Sequence, residues 1–276
     1  MLYHYTTLET FLRIIEGITD DGNEPYLHLR ATRIDQVNDP TEMNTDISKL
    51  SSILQEYETQ KDIENKCLSD KITKVNPNEV QNILKKEKEE HLPYITCLST
   101  RKDYLPMWSL YGDKHHGVCL CFTEELLENV SINKNEDNII RGEVAYKKHD
   151  KSIAIQDALD LCFETINKKG SNSDITDTIA ELFLFISPYI KNINYAYEKE
   201  YRICLYNFQK KTDPKMGEIT EYNKDGEYVM LDIPLYSLKY IILGAKTPKL
   251  LESILKDYFN KKNYKIKIER SKIPYK

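Results

Sequence analysis

The stretch Tyr195-Ala196-Tyr197-Glu198-Lys199-Glu200-Tyr201-Arg202-Ile203-Cys204-Leu205-Tyr206 constrains the fold more than any other part of the chain. It is rich in Tyr and Ile with period-two alternation, which predicts a β-strand over 197–206. Alternation sets Glu198, Glu200 and Arg202 on one face, with Tyr197, Tyr201 and Ile203 on the other. Two carboxylates and a guanidinium on one strand face can polarise, protonate or orient a bound group. A solvated face carrying a surface ion pair of small energetic value is the plain alternative.

The segments around this strand mix two periodicities. Strands are expected at 2–6, 26–31, 94–98, 117–122, 138–146, 227–233, 238–243 and 264–269. Helices are expected at 8–15, 106–111, 123–130 and 248–259, with two more inside 151–191. Thr7 can cap the first helix, and Gly17 ends it. Asn38-Asp39-Pro40 reads as a helix start with Asp39 as N-cap and Pro40 at the first helical position. The Lys/Glu-rich region from Thr41 to Glu90 is helical in pattern, broken at Asn76-Pro77-Asn78, with Ile53, Leu54, Ile83 and Leu84 as its buried side. No regular βαβα rhythm is present. The expected fold is therefore α+β with a mixed, mainly antiparallel sheet. It forms a single domain over 1–276 with helical insertions at about 41–90 and 151–191.

Composition narrows the function classes. A net charge of −5 argues against a general nucleic-acid coat, which needs a basic footprint. The local surplus of Lys and Arg from Lys256 to Lys276 is a solvated face or a weak meeting point for nucleic acid. No apolar run approaches a membrane span, and Met1-Leu2-Tyr3-His4-Tyr5 lacks a secretory pattern. The six Cys sit mostly among apolar neighbours without a CxxC pair. They read as buried thiols in a reducing compartment and not as a zinc site. A cytoplasmic protein with no membrane partner is expected. Twenty Tyr against one Trp and seven Phe put hydroxyl tips on much of the aromatic surface.

Three further clusters bear chemistry. In Leu2-Tyr3-His4-Tyr5-Thr6, alternation puts His4 and Thr6 on one face, where an imidazole and a hydroxyl can hold a diol or phosphate. A hydrogen-bonded structural His is the alternative. Arg33 to Glu42, containing Asn38 and Asp39, is polar and compatible with a capped helix start. Ser99 to Gly112 holds Tyr104, Trp108 and Tyr111 at helical spacing, so the three rings share a face, as a core edge or a stacking platform. Gly112 to Val118 only superficially echoes a phosphate loop: it lacks the following Lys-Ser/Thr and an entering strand. His115 and His116 are adjacent, which makes weak metal ligands.

The ordered blocks Leu2-Tyr3-His4-Tyr5-Thr6, Asn38-Asp39-Pro40 with Glu42, Met107-Trp108-Ser109-Leu110-Tyr111, Gly117 to Phe122 and Tyr197-Glu198-Lys199-Glu200-Tyr201-Arg202 resemble a widespread bacterial family of unknown function. A strand-borne His near the N-terminus, central aromatics and a late strand-borne Glu are similar to the His-Tyr-Glu arrangement of ADP-ribosyltransferases. Asn38-Asp39-Pro40 is similar to their DNA-modifying toxin branch. This second resemblance implies a split-sheet core and NAD as substrate, within a toxin or phage-defence setting. It implies that His4 binds the nicotinamide ribose with Thr6 in support. Glu200 or Glu198 would hold the ribose 2′-hydroxyl and stabilise an oxocarbenium-like transition state. The stacking Tyr is left open among Tyr26, Tyr104 and Tyr111.

Three functions follow as expectations. The first is NAD-dependent ADP-ribosyl transfer or NAD glycohydrolysis, which requires His4 and Glu200 to converge in one cleft. The second is a metal-independent nuclease or phosphate-processing enzyme, with Arg202 as phosphate clamp. The third is a non-catalytic binding module. The expected catalytic residues are His4, Glu200 and Glu198. Tyr5, Thr6, Asn38, Asp39, Ser99, Trp108, Tyr111 and Arg202 are the expected substrate-binding residues, and no metal is expected. The expected partners are a nucleotide-like small molecule and a nucleic-acid or protein acceptor.

Overall fold

The computed structural model describes residues 1–19, 24–37, 39, 43, 50–60, 75–90, 92–131, 139–169, 175–206 and 228–274. They form two compact units, one of Met1–Arg33, Tyr94–Glu143 and Tyr195–Lys276, the other of Ile34–Pro93 and Val144–Asn194. The two stretches read from sequence as helical insertions fall within the second unit.

The first unit is built on one sheet that is mostly antiparallel. Its strands are β1 (Leu2–Thr6), β2 (Tyr26–Arg33), β3 (Tyr94–Ser99), β4 (Val118–Phe122), β5 (Ile139–Glu143), β6 (Glu200–Leu205), β7 (Tyr228–Pro234), β8 (Leu238–Leu243) and β9 (Lys267–Arg270). The main path runs β5-β6-β3-β1-β4-β8-β9, and β2 pairs with both β3 and β7. Among the described strands of this sheet, only β8 and β9 pair in parallel. One edge of β3 is shared: β1 meets it at Ser99, and β2 meets it at Tyr94 and Ile95. The sheet therefore forks between those two points.

One sheet face carries the aliphatic core. Helix α1 (Leu8–Glu16) lays Phe11, Ile14 and Ile15 on it, at the three- and four-residue spacing of a helix stripe. Leu2, Leu120, Leu98 and Ile203 come from the strands, and Leu255 and Phe259 come from a C-terminal helix, Lys249–Lys261. Thr7 caps α1 by accepting a hydrogen bond from the Thr10 amide at 3.2 Å, as the sequence predicts. The opposite face carries a smaller cluster of Tyr3, Tyr5, Cys119, Cys121 and Ile242, with Met107 and Trp108 from the short helix Leu105–Leu110.

The second unit is helical, with segments Leu50–Gln60, Pro77–Glu90, Lys148–Lys169 and Ile175–Ile186. Leu54 and Leu84 are buried there, while Ile53 and Ile83 are partly covered. Tyr57 stacks on Phe163 at 5.3 Å and donates to Asp160 at 2.6 Å. Among the described residues, no helix is long and apolar enough to cross a membrane. Among the described residues, Cys97, Cys119, Cys121, Cys162 and Cys204 form no disulfide.

Candidate active site

The acidic strand lies in the first unit but is shorter than its pattern implies. β6 begins at Glu200, because Lys199 takes a left-handed φ of 47°. That residue interrupts alternation, so Glu198 belongs to a turn and not to the strand. The turn is held by two hydrogen bonds: Ser99 Oγ donates to the Glu198 carbonyl at 2.7 Å, and the Thr100 amide donates to the Lys199 carbonyl at 2.8 Å. Ser99 is fully buried and also accepts from the Arg101 amide. Ser99 thus braces the turn that carries Glu198.

Both carboxylates act on one phenol, Glu198 by a hydrogen bond and Glu200 through its charge. Tyr111 Oη donates to Glu198 Oε1 at 2.6 Å. Burial raises the Tyr111 phenol well above its usual range, and the bond to Glu198 and the charges of Glu198 and Glu200 push it the same way. Tyr111 therefore stays protonated and acts as a donor. Beside it, Arg202 Nε donates to Glu200 Oε2 at 2.6 Å, and both residues are buried. Ladder register fixes the company they keep. Glu200 pairs with Ser99, Ser99 pairs with Tyr3, and Arg202 pairs with Cys97. Directly opposed residues of an antiparallel pair share a face, so all of these belong to the sheet face that carries the aromatic cluster. Cys97, exposed in the middle of an inner strand, shows that this face is open to solvent beside the acids. The sequence carried no sign of this; Cys97 had the apolar neighbours of a core thiol.

The structure corrects the His4 expectation. β1 pairs His4 with Leu120 and Tyr5 with Cys119 in an unbroken register. Leu120 belongs to the aliphatic core and Cys119 to the aromatic cluster. Alternation thus sends His4 and Thr6 to the face opposite Glu200, and they do not converge with it. His4 instead sits at the fork of the sheet, with Nδ1 3.4 Å from the Cys97 carbonyl. Burial lowers its proton affinity, and the Cys97 carbonyl opposes that shift. Thr6 is buried.

Three expected binders are internal supports. Trp108 is fully buried, packs edge-on against Tyr5 at 5.0 Å, stacks on His115 at 5.6 Å, and donates Nε1 to Asp103 Oδ1 at 2.8 Å. It is therefore core and not a stacking platform. Tyr5 donates to the Arg101 carbonyl at 2.7 Å and accepts from the Tyr104 amide at 3.0 Å. Arg202 has no solvent exposure. In this structure its Nε is engaged with Glu200, so it supports that carboxylate and is not presented to solvent. The grouping of Tyr104, Trp108 and Tyr111 in one cluster does hold. Asp39 is buried and belongs to the second unit. Asn38 lies outside the described residues.

Sequence reading missed Asp103. Its Oδ1 accepts from Trp108 and from Ser271 Oγ at 2.6 Å, and its Oδ2 accepts from the Lys272 amide at 2.8 Å. One carboxylate thus ties the helix Leu105–Leu110 to the C-terminal segment, where Ile273 packs against the aromatic cluster. Asp103 takes a left-handed φ of 45°, a conformation Asp adopts more readily than most residues. Among the described residues, no group of three His, Cys, Asp or Glu is placed to hold a metal ion.

Residues 107–203 match the model of a family described as Protein of unknown function (DUF2971). The matched span contains Trp108, Tyr111, Glu198, Glu200 and Arg202. No curated protein and no solved structure matches the chain.

Proposed function

We propose that the chain is an NAD-using enzyme that transfers or hydrolyses ADP-ribose, with Glu198, Glu200 and Tyr111 at its chemical centre. The observation that carries this reading is the pair of buried carboxylates, each oriented by a different donor: Tyr111 on Glu198 at 2.6 Å and Arg202 on Glu200 at 2.6 Å. Breaking the nicotinamide–ribose bond leaves positive charge on the sugar. A carboxylate fixed in advance at that charge stabilises it without reorganisation cost at the moment of reaction. The mainly antiparallel sheet is compatible with the split-sheet core that the resemblance to ADP-ribosyltransferases implies. His4 has no part in this version of the reading.

In the proposed reaction the glycosidic bond breaks, and its electron pair leaves with nicotinamide. Water or an acceptor hydroxyl then attacks the ribose carbon, and one of the two carboxylates takes the attacking proton. Tyr111 keeps its proton throughout and holds Glu198 in orientation, as Arg202 holds Glu200. The test is nicotinamide release from NAD by the purified chain. Glu198→Gln or Glu200→Gln, whichever removes the acting carboxylate, lowers kcat by about 10²–10³, and His4→Asn leaves it within about threefold. Absence of nicotinamide release, with or without added protein or nucleic-acid acceptors, overturns the proposal.

A further inference from the structure

The second unit holds a groove of about 840 Å³, inside the roughly 300–1,000 Å³ range of small-molecule sites. Its lining joins two kinds of surface. Ile53, Ile155, Ile190 and Ile193 make it largely apolar. Lys147, Lys148 and Lys151 also line it, and Glu56 is its one acidic lining residue among those described. Positive charge is therefore in excess.

The position of the lysines is not explained by helix stability. The Lys151 amide donates to the Lys147 carbonyl at 3.0 Å, so these residues form the first turn of the helix Lys148–Lys169. A helix start is the positive end of the macrodipole, where acids stabilise and cations do the reverse. Three lysines there oppose the macrodipole, against one acid, Asp150, in the same turn. Burial also lowers the proton affinity of Lys151. A partly desolvated ammonium gains from an arriving anion, which replaces the lost water. Gln156, Asn192, Ser52 and Ser152 supply amides and hydroxyls along the same lining, and these can meet the polar edges of a base and a ribose.

We infer that this groove binds a phosphorylated nucleoside, its phosphates against Lys147, Lys148 and Lys151 and its base along the isoleucines. The inference does not rest on the acidic cluster of the first unit. Aliphatic side chains offer a ring flat apolar contact, and the lysines satisfy charged oxygens that the isoleucines would reject.

The test is titration of the full chain with a fluorescent methylanthraniloyl derivative of ATP, followed by competition. Saturable binding displaced by ATP, and at least about tenfold less effectively by pyrophosphate, supports the assignment. Lys148→Glu with Lys151→Glu weakens binding at least about tenfold, while Lys261→Glu, in the first unit, does not. Lys151→Gln gives a milder reading should the double reversal alter the far-ultraviolet circular dichroism. Glu198→Gln leaves binding intact, which separates this site from the proposed catalytic one. Failure to saturate, equal weakening by Lys261→Glu, or equal displacement by pyrophosphate or an RNA oligonucleotide each overturns it. Those last two results would show general attraction for anions.

Discussion

At the scale of single residues, the centre of the first unit is the Glu200–Arg202 pair. Two buried charges 2.6 Å apart offset each other's desolvation only while both are present. Arg202→Ala should therefore lose about 3–5 kcal/mol of stability, because it strands the Glu200 carboxylate. Glu200→Gln with Arg202→Met, which removes both charges at similar volume, should cost clearly less. Urea unfolding of the three proteins decides this, and equal losses in the single and double variants would contradict it. That these residues share a neighbourhood was legible in their spacing. Their burial was not, since alternation names a face without saying what covers it. His4 was misjudged for a related reason. Its parity within β1 was correct, but the face that parity selects depends on pairing with β4, a contact across more than a hundred residues. No local pattern encodes that register.

At the scale of elements, the sequence was most informative where a cap, a turn and a hydrophobic stripe agreed. Helix α1 has all three, and Thr7→Ala should cost about 1 kcal/mol through the lost cap. It was least informative where one backbone angle overrode the pattern. Lys199 at φ 47° shortens β6 and moves Glu198 into a turn, although every side chain there alternates as a strand would. The Gly112–Gly117 segment shows the converse. Its two glycines superficially suggested a phosphate loop, but a Cβ at Gly117 would lie 2.2 Å from the Thr6 carbonyl oxygen and 2.8 Å from that of Gly112. Both atoms are backbone and cannot step aside cheaply. Gly117→Ala should accordingly destabilise by at least about 2 kcal/mol, seen as a lower urea midpoint with an unchanged slope. A stability equal to that of the parent chain would mean that β1 and β4 can part at that point.

At the scale of the whole molecule, buried titratable groups in both units limit stability from either end of the pH range. On the acid side, burial lowers the proton affinity of His4 and His115, with the Cys97 carbonyl opposing it at His4 and Asp103 opposing it at His115. The unfolded chain takes up these protons near pH ~6.5 and the native chain only at lower pH. Unfolding then binds protons, so their contribution is full above about pH 6.5 and falls as the solution is acidified. On the alkaline side, burial foremost, with the Glu181 charge second, pushes the Cys162 thiol from 9.0 up to about 11. Here the native state holds a proton that the unfolded state releases. The contribution is complete below pH 9 and is lost on the way to about 11. The chain should show a stability plateau between these limits. Urea midpoints at pH 5, 7, 8.5 and 10.5 should outline it. Cys162→Ala should shrink only the alkaline limb, to which the buried Cys119 thiol also contributes, and His4→Gln should shrink only the acid limb, where His115 still acts. A midpoint that does not move between pH 8.5 and 10.5 would mean that Cys162 ionises as readily in the native unit as in the unfolded chain, and that its place among the helices is far wetter than its 4% exposure indicates.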